Sequence, residues 1–181
     1  MLCKIKTLLT GVALASSSVL AGEQPPVDLN KPVTNPALVA AMQRLKRDSS
    51  SAAKDAVLVE LNRANYLIAI FSDEMHVSKP DSGGKATIEK DSVIKVINTS
   101  DVKGNTYLPL FTDWDAIRLF IGKPVDTLVF PAKDAWDWVL RMGNYQGAVI
   151  NPANDALPLS KQQVEYLAAQ LSTNKSINRT R

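Results

Sequence analysis

Apolar residues in this chain recur first at helical spacing, then in short runs, then in alternating blocks of both. Leu38, Met42 and Leu45 lie three to four apart after Asn35-Pro36, where a capping residue followed by proline marks a helix start; the helix is expected to reach Asp48. Ala53, Val57, Leu61 and Ala64 repeat the spacing after a serine run and predict a second helix. The run YLIAIF at 66–71 has no polar alternation and is too brief for a helix, which predicts a buried strand. After the turn Asp81-Ser82-Gly83-Gly84, strands are expected around Ile88, over VIKVIN at 93–98 and over TYLPLF at 106–111, with Lys103-Gly104-Asn105 turning the second into the third.

Beyond this point helix and strand alternate. Asp113 to Ile121 is helical, Thr127 to Phe130 a strand, Ala132 to Met142 helical, Gly147 to Asn151 a strand and Ser160 to Leu171 helical. Pro131 stands at a helix start, Gly143 just past a helix end, and Ser160 with Gln163 forms a capping box before Val164, Leu167, Ala168 and Leu171. The pattern predicts an α/β (α+β) single domain with a mixed β-sheet, an antiparallel hairpin portion and flanking helices. Residues 22–34, with Pro25, Pro26 and Pro32, read as an extended linker, and 172–181 as a polar, disordered tail.

The first 21 residues change the picture of compartment. Lys4 and Lys6 precede an uncharged stretch from Thr7 to Gly22 that is too short and too serine-rich to span a membrane, and Val19 and Ala21 suit cleavage after Ala21. This is the pattern of a signal peptide and predicts a periplasmic or secreted protein with no membrane span in its mature form. The single cysteine, Cys3, lies inside that segment, so the remainder must be stabilised by packing without disulfides. Formal net charge is +3, but removing Lys4 and Lys6 leaves 19 basic residues against 18 acids, so no basic surface calls for nucleic acid.

Candidate chemistry is sparse. Asp73-Glu74-Met75-His76 sets two acids beside the sole histidine, yet no second histidine, no cysteine and no nucleophile elbow accompany it; a solvated strand end accounts for it and no metal is expected. Gly83-Gly84 lacks the helix and lysine of a phosphate loop, and no cofactor is expected. In Thr112-Asp113-Trp114-Asp115, Thr112 is placed to cap the following helix and Asp115 to meet its dipole, leaving Asp113 and Trp114 free at a strand's carboxyl end. Trp136 and Trp138 point about 200° apart around their helix, so one is expected at a surface. Asp113, Trp114 and Trp136 therefore form the candidate interaction surface, with Trp136 pairing with Leu140 across a stripe of Ala135, Val139 and Met142.

The segment Leu108-Pro109-Leu110-Phe111-Thr112-Asp113 followed by a helix, and Val149-Ile150-Asn151-Pro152 followed by a polar loop and a last helix, resemble the N-terminal domain of the SseB (enhanced serine sensitivity) family over roughly residues 35–171. The resemblance implies an α/β domain with a mixed sheet and no established catalytic residues. The expected export leader departs from the family pattern, and the chain is expected to stop where longer members continue into a second domain. Together these readings imply a non-catalytic module that binds another protein. The alternatives are an inhibitor or immunity-type protein acting outside the cytoplasm, and a small hydrolase or transferase using acids near Asp113.

Overall fold

The computed structural model describes residues 31–71, 79 and 95–177. The expected signal segment, the Asp73–His76 run, the Gly83-Gly84 turn and the strand around Ile88 lie outside the described residues. Among the described residues five helices and seven strands make a mixed α/β domain, and no helix is long and apolar enough to cross a membrane.

Helices α1 (Pro36–Arg47) and α2 (Ser51–Leu61) form as their apolar spacing predicts, with Leu38 and Met42 of the first and Ala53, Val57 and Leu61 of the second buried. They lead into β1 (Asn65–Phe71), which is buried from Tyr66 to Ile70 because both its faces are covered. The period of two sorts its side chains. Tyr66, Ile68 and Ile70 enter a large core with α1, α2 and residues of α4 and α5, whereas Leu67 and Ala69 enter a smaller one with Phe111, Ala116 and Ile117.

The strands form two sheets. One has the order β2-β1-β5, with β2 (Lys95–Val96) and β5 (Asp126–Pro131) both antiparallel to β1. The other has the order β3-β4-β6-β7: β3 (Thr99–Ser100) and β4 (Thr106–Leu110) make a hairpin, β6 (Tyr145–Ile150) runs parallel to β4, and β7 (Leu157–Ser160) returns antiparallel to β6. The hairpin turns at Gly104 (φ +80°), with the Asp101 carboxylate accepting from Asn105 and Lys103. Those bonds, first of all the one from the Asn105 side chain, hold its carboxyl below the usual range. The sheets meet where Leu67 and Phe111 exchange backbone hydrogen bonds of 2.9 and 3.0 Å.

Four expectations are corrected. Of the strand expected over 93–98, whose first two residues lie outside the described ones, only Lys95-Val96 forms: Ile97 still donates to the Ala69 carbonyl of β1, and after Asn98 the chain enters the other sheet, where Thr99 pairs with Tyr107. Residues 157–160, expected as loop, form β7; Pro158 masks the pattern but is tolerated on an edge strand. Asn35 sits at the α1 cap position without a capping bond, its amide instead reaching the carbonyls of Asn65 and Thr112. Helix α5 (Lys161–Ile177) starts at the expected capping box but continues into the stretch expected as tail as far as Ile177, where no glycine or proline stops it. Gly147, at φ +155°, lies so close to β7 that a Cβ there would fall 1.9 Å from the Leu159 carbonyl oxygen.

Candidate functional site

Helix α3 (Trp114–Ile121) begins where β4 ends, and its cap is Asp113: Oδ1 accepts from the Ala116 N–H at 2.9 Å. This corrects the assignment of capping to Thr112. Both residue types cap well and they are adjacent, so the pattern permits either. The fold decides because Thr112 is fully buried and committed elsewhere. Its hydroxyl donates to Asp113 Oδ2 (2.8 Å) and accepts from Asn151 Nδ2 (2.8 Å), its N–H donates to Asn151 Oδ1 (3.0 Å), and its carbonyl accepts from Asn35 (2.7 Å). One residue thus ties together the start of α1, the ends of the parallel strands β4 and β6, and the start of α3.

Asn151 is the residue that sequence reasoning missed. It is buried and holds φ +49°, a conformation that asparagine tolerates better than most residues, and its own N–H donates to the Leu110 carbonyl. Only its position, between the end of a strand and Pro152, hints at a special backbone, and that signal is shared by many loop asparagines.

A cleft of about 200 Å³ opens at the carboxyl ends of β4 and β6, lined among others by Met42, Gln43, Asp113, Asp115, Asn151 and Asp155. Such a position commonly holds ligands in α/β sheets. Here each carboxylate has a local partner. Both oxygens of Asp113 accept bonds within the cap, Asp115 pairs with Arg118 at 2.8 Å, and Asp155 pairs with Lys46. Among the described residues no cluster of His, Cys, Asp or Glu could hold a metal ion.

The three candidate residues separate. Asp113 and Trp114 stand together at the start of α3, and Trp114 is 38% exposed. Trp136 does not join them. It is fully buried in α4 (Ala132–Arg141), its indole N–H donates to Asn62 Oδ1 at 2.8 Å and its ring tilts against Tyr66 at 5.4 Å. The two tryptophans do diverge, but the buried stripe is Ala132, Ala135, Trp136 and Val139; the small alanines let the helix approach the sheet and make room for one large ring. Met142, expected on the stripe, is 44% exposed, and Trp138 is half-buried against Phe130.

Beside Trp114 runs an open groove of about 480 Å³, lined also by Ile117, Pro124, Val125, Arg118 and Lys123, the last with its ammonium 5.0 Å over the Phe71 ring. It exists because Gly122, left-handed at φ +66°, stops α3 and turns the chain back alongside the helix towards β5.

The SseB protein N-terminal domain matches residues 38–166, from the first turn of α1 into α5. The chain belongs to the SseB family. No curated protein and no solved structure matches it. The match spans both sheets and helices α2 to α4 entire, so the Thr112–Asn151 junction and the Trp114 groove both lie within the SseB domain.

Proposed function

We propose that this SseB domain is an exported, non-catalytic module that binds another protein through the groove beside α3, taking a segment that carries an acidic residue next to an apolar one. The observation that carries the reading is Trp114, a half-exposed aromatic lining a mainly apolar groove together with two cationic side chains. Aromatic anchors in such settings supply a disproportionate part of binding energy, and Arg118 and Lys123 supply the charge that selects an acidic neighbour. The Arg118–Asp115 pair does not oppose this, because both groups are largely exposed and such pairs contribute little. Asp113 in the neighbouring cleft supports a non-catalytic reading, since both its carboxylate oxygens are engaged at the start of α3.

The test is affinity capture from a periplasmic extract, followed by titration of the identified, purified partner against wild type and Trp114→Ala. Loss of a central aromatic anchor is expected to weaken binding by about 30-fold or more while the melting transition scarcely moves. Unchanged affinity in Trp114→Ala would remove the groove from consideration.

Export rests on the charged start, the short uncharged run and the small residues before the cut. N-terminal sequencing of protein recovered from its producing cell should begin at Gly22 or close to it. Recovery of a soluble chain that retains Met1 would contradict export.

A further inference from the structure

The chain enters the fold beside the Trp114 groove. Val33 is half-buried and packs on the smaller core, the cluster that holds Ile117 and against which Val125 also packs; Ile117 and Val125 both line the groove. Asn35 donates to the Thr112 carbonyl at 2.7 Å, and Thr112 stands just before Asp113 and Trp114. Two contacts therefore fix where the preceding segment is delivered: at the start of α3, within reach of Trp114. That segment, residues 22–30, reads GEQPPVDLN and lies outside the described residues.

Its chemistry fits the groove. Val27-Asp28-Leu29 sets one acid between two apolar side chains, and residues 22–30 carry Glu23 and Asp28 but no base. Among the described residues the groove is lined by apolar side chains and two cations, Arg118 and Lys123, with no acid. Reach is sufficient: the four residues from Val33 back to Leu29 span up to about 14 Å, and an eight-residue helix such as α3 is about 12 Å long. So short a tether holds the triplet at an effective concentration of about millimolar, an advantage that no free strand of similar sequence has. Pro26 and Pro32 bracket the triplet and restrict its backbone, which lowers the entropy lost on docking.

We propose that Val27-Asp28-Leu29 of the same chain occupies the groove in the free protein, with Val27 and Leu29 against Trp114 and the apolar lining and Asp28 facing Arg118 and Lys123. This rests on the reading that the groove takes an acidic residue next to an apolar one, and adds that the chain carries its own competitor for that place. A partner segment then binds by displacing the triplet, so its apparent affinity is reduced by the fraction of molecules in which the groove is filled.

Fluorine NMR of protein recovered from its producing cell with 5-fluorotryptophan at its three tryptophans tests this without a partner. The Trp114 signal is assigned by its loss in Trp114→Phe. The double variant Val27→Ser/Leu29→Ser, and separately Asp28→Lys, should shift that signal while those of Trp136 and Trp138 stay in place and report an intact fold. A peptide of residues 22–30, added at millimolar concentration, should return the double variant's signal to the wild-type position and leave wild type unchanged. A Trp114 signal that is the same in wild type and both variants overturns the proposal. So does one that moves with protein concentration, because a second copy then fills the groove. The purified partner separates this result from the functional reading: the double variant should bind it about threefold more tightly, the gain when about two molecules in three hold the triplet. If the variants move neither the signal nor that affinity while Trp114→Ala still weakens binding, only the internal contact falls. If they move the signal but Trp114→Ala leaves the affinity unchanged, the internal contact stands and the partner binds elsewhere.

Discussion

Replacing Trp136 with alanine should destabilise the domain by about 3–5 kcal/mol, the range for deleting a large aromatic from a packed core. Two terms add. The indole sits at the centre of the larger core, tilted against Tyr66, and its removal leaves a void that backbone-anchored neighbours cannot close. It also strands the Asn62 side-chain oxygen that accepts from the indole N–H, although the Asn62 amide keeps its bonds to the Leu167 carbonyl and Gln170 at the α5 side. Denaturant titration of Trp136→Ala and Trp114→Ala side by side separates the two roles: the first should lower the unfolding midpoint sharply, the second hardly at all. A Trp136→Ala protein with a wild-type midpoint would mean that α4 does not dock as described.

The second large effect is expected at Asn151. Alanine there removes both bonds to Thr112 and forces a residue with a poor left-handed preference into φ +49°. Leaving the buried Thr112 N–H without a partner costs about 1–3 kcal/mol, and the backbone conformation costs about 1 kcal/mol more, so a loss of about 2–4 kcal/mol is expected in total. Glycine distinguishes the contributions. Asn151→Gly accepts the backbone freely and should recover only the conformational part, remaining less stable than wild type. If Asn151→Gly matches wild type, the side-chain bonds contribute nothing and the junction is held by packing alone. Because Thr112 also donates to the capping carboxylate of Asp113, the amides of the first turn of α3 should lose exchange protection in Asn151→Ala before those of α4 do.

The candidate site shows where local pattern is sufficient and where it fails. Apolar periodicity located α1 to α5 and the buried strand β1, because burial of one face or two is written directly into the spacing of side chains along a helix or strand. The capping box at Ser160 and Gln163 was legible for the same reason: its bonds close within three residues. The cap of α3 was legible only to within one residue. Thr112 and Asp113 have equal local claims, and Asn151, 39 residues away, is what draws Thr112 into the interior.

Sequence alone therefore determined the five helices, the strands β1, β4, β5 and β6, their order and the SseB resemblance. Tertiary structure decided which residues share a place. Trp136 is core because Ala132, one turn earlier, and the adjacent Ala135 let α4 settle on Tyr66; Trp114 is a surface residue because Gly122 turns the chain back beside it. The step from β2 in one sheet to β3 in the other accompanies a bridge between Leu67 and Phe111 that joins the sheets, and the open edge of β5 depends on which strand ends each sheet. These are contacts between residues far apart in the chain, and hydrophobic spacing fixes which side of an element is buried but not which other element buries it.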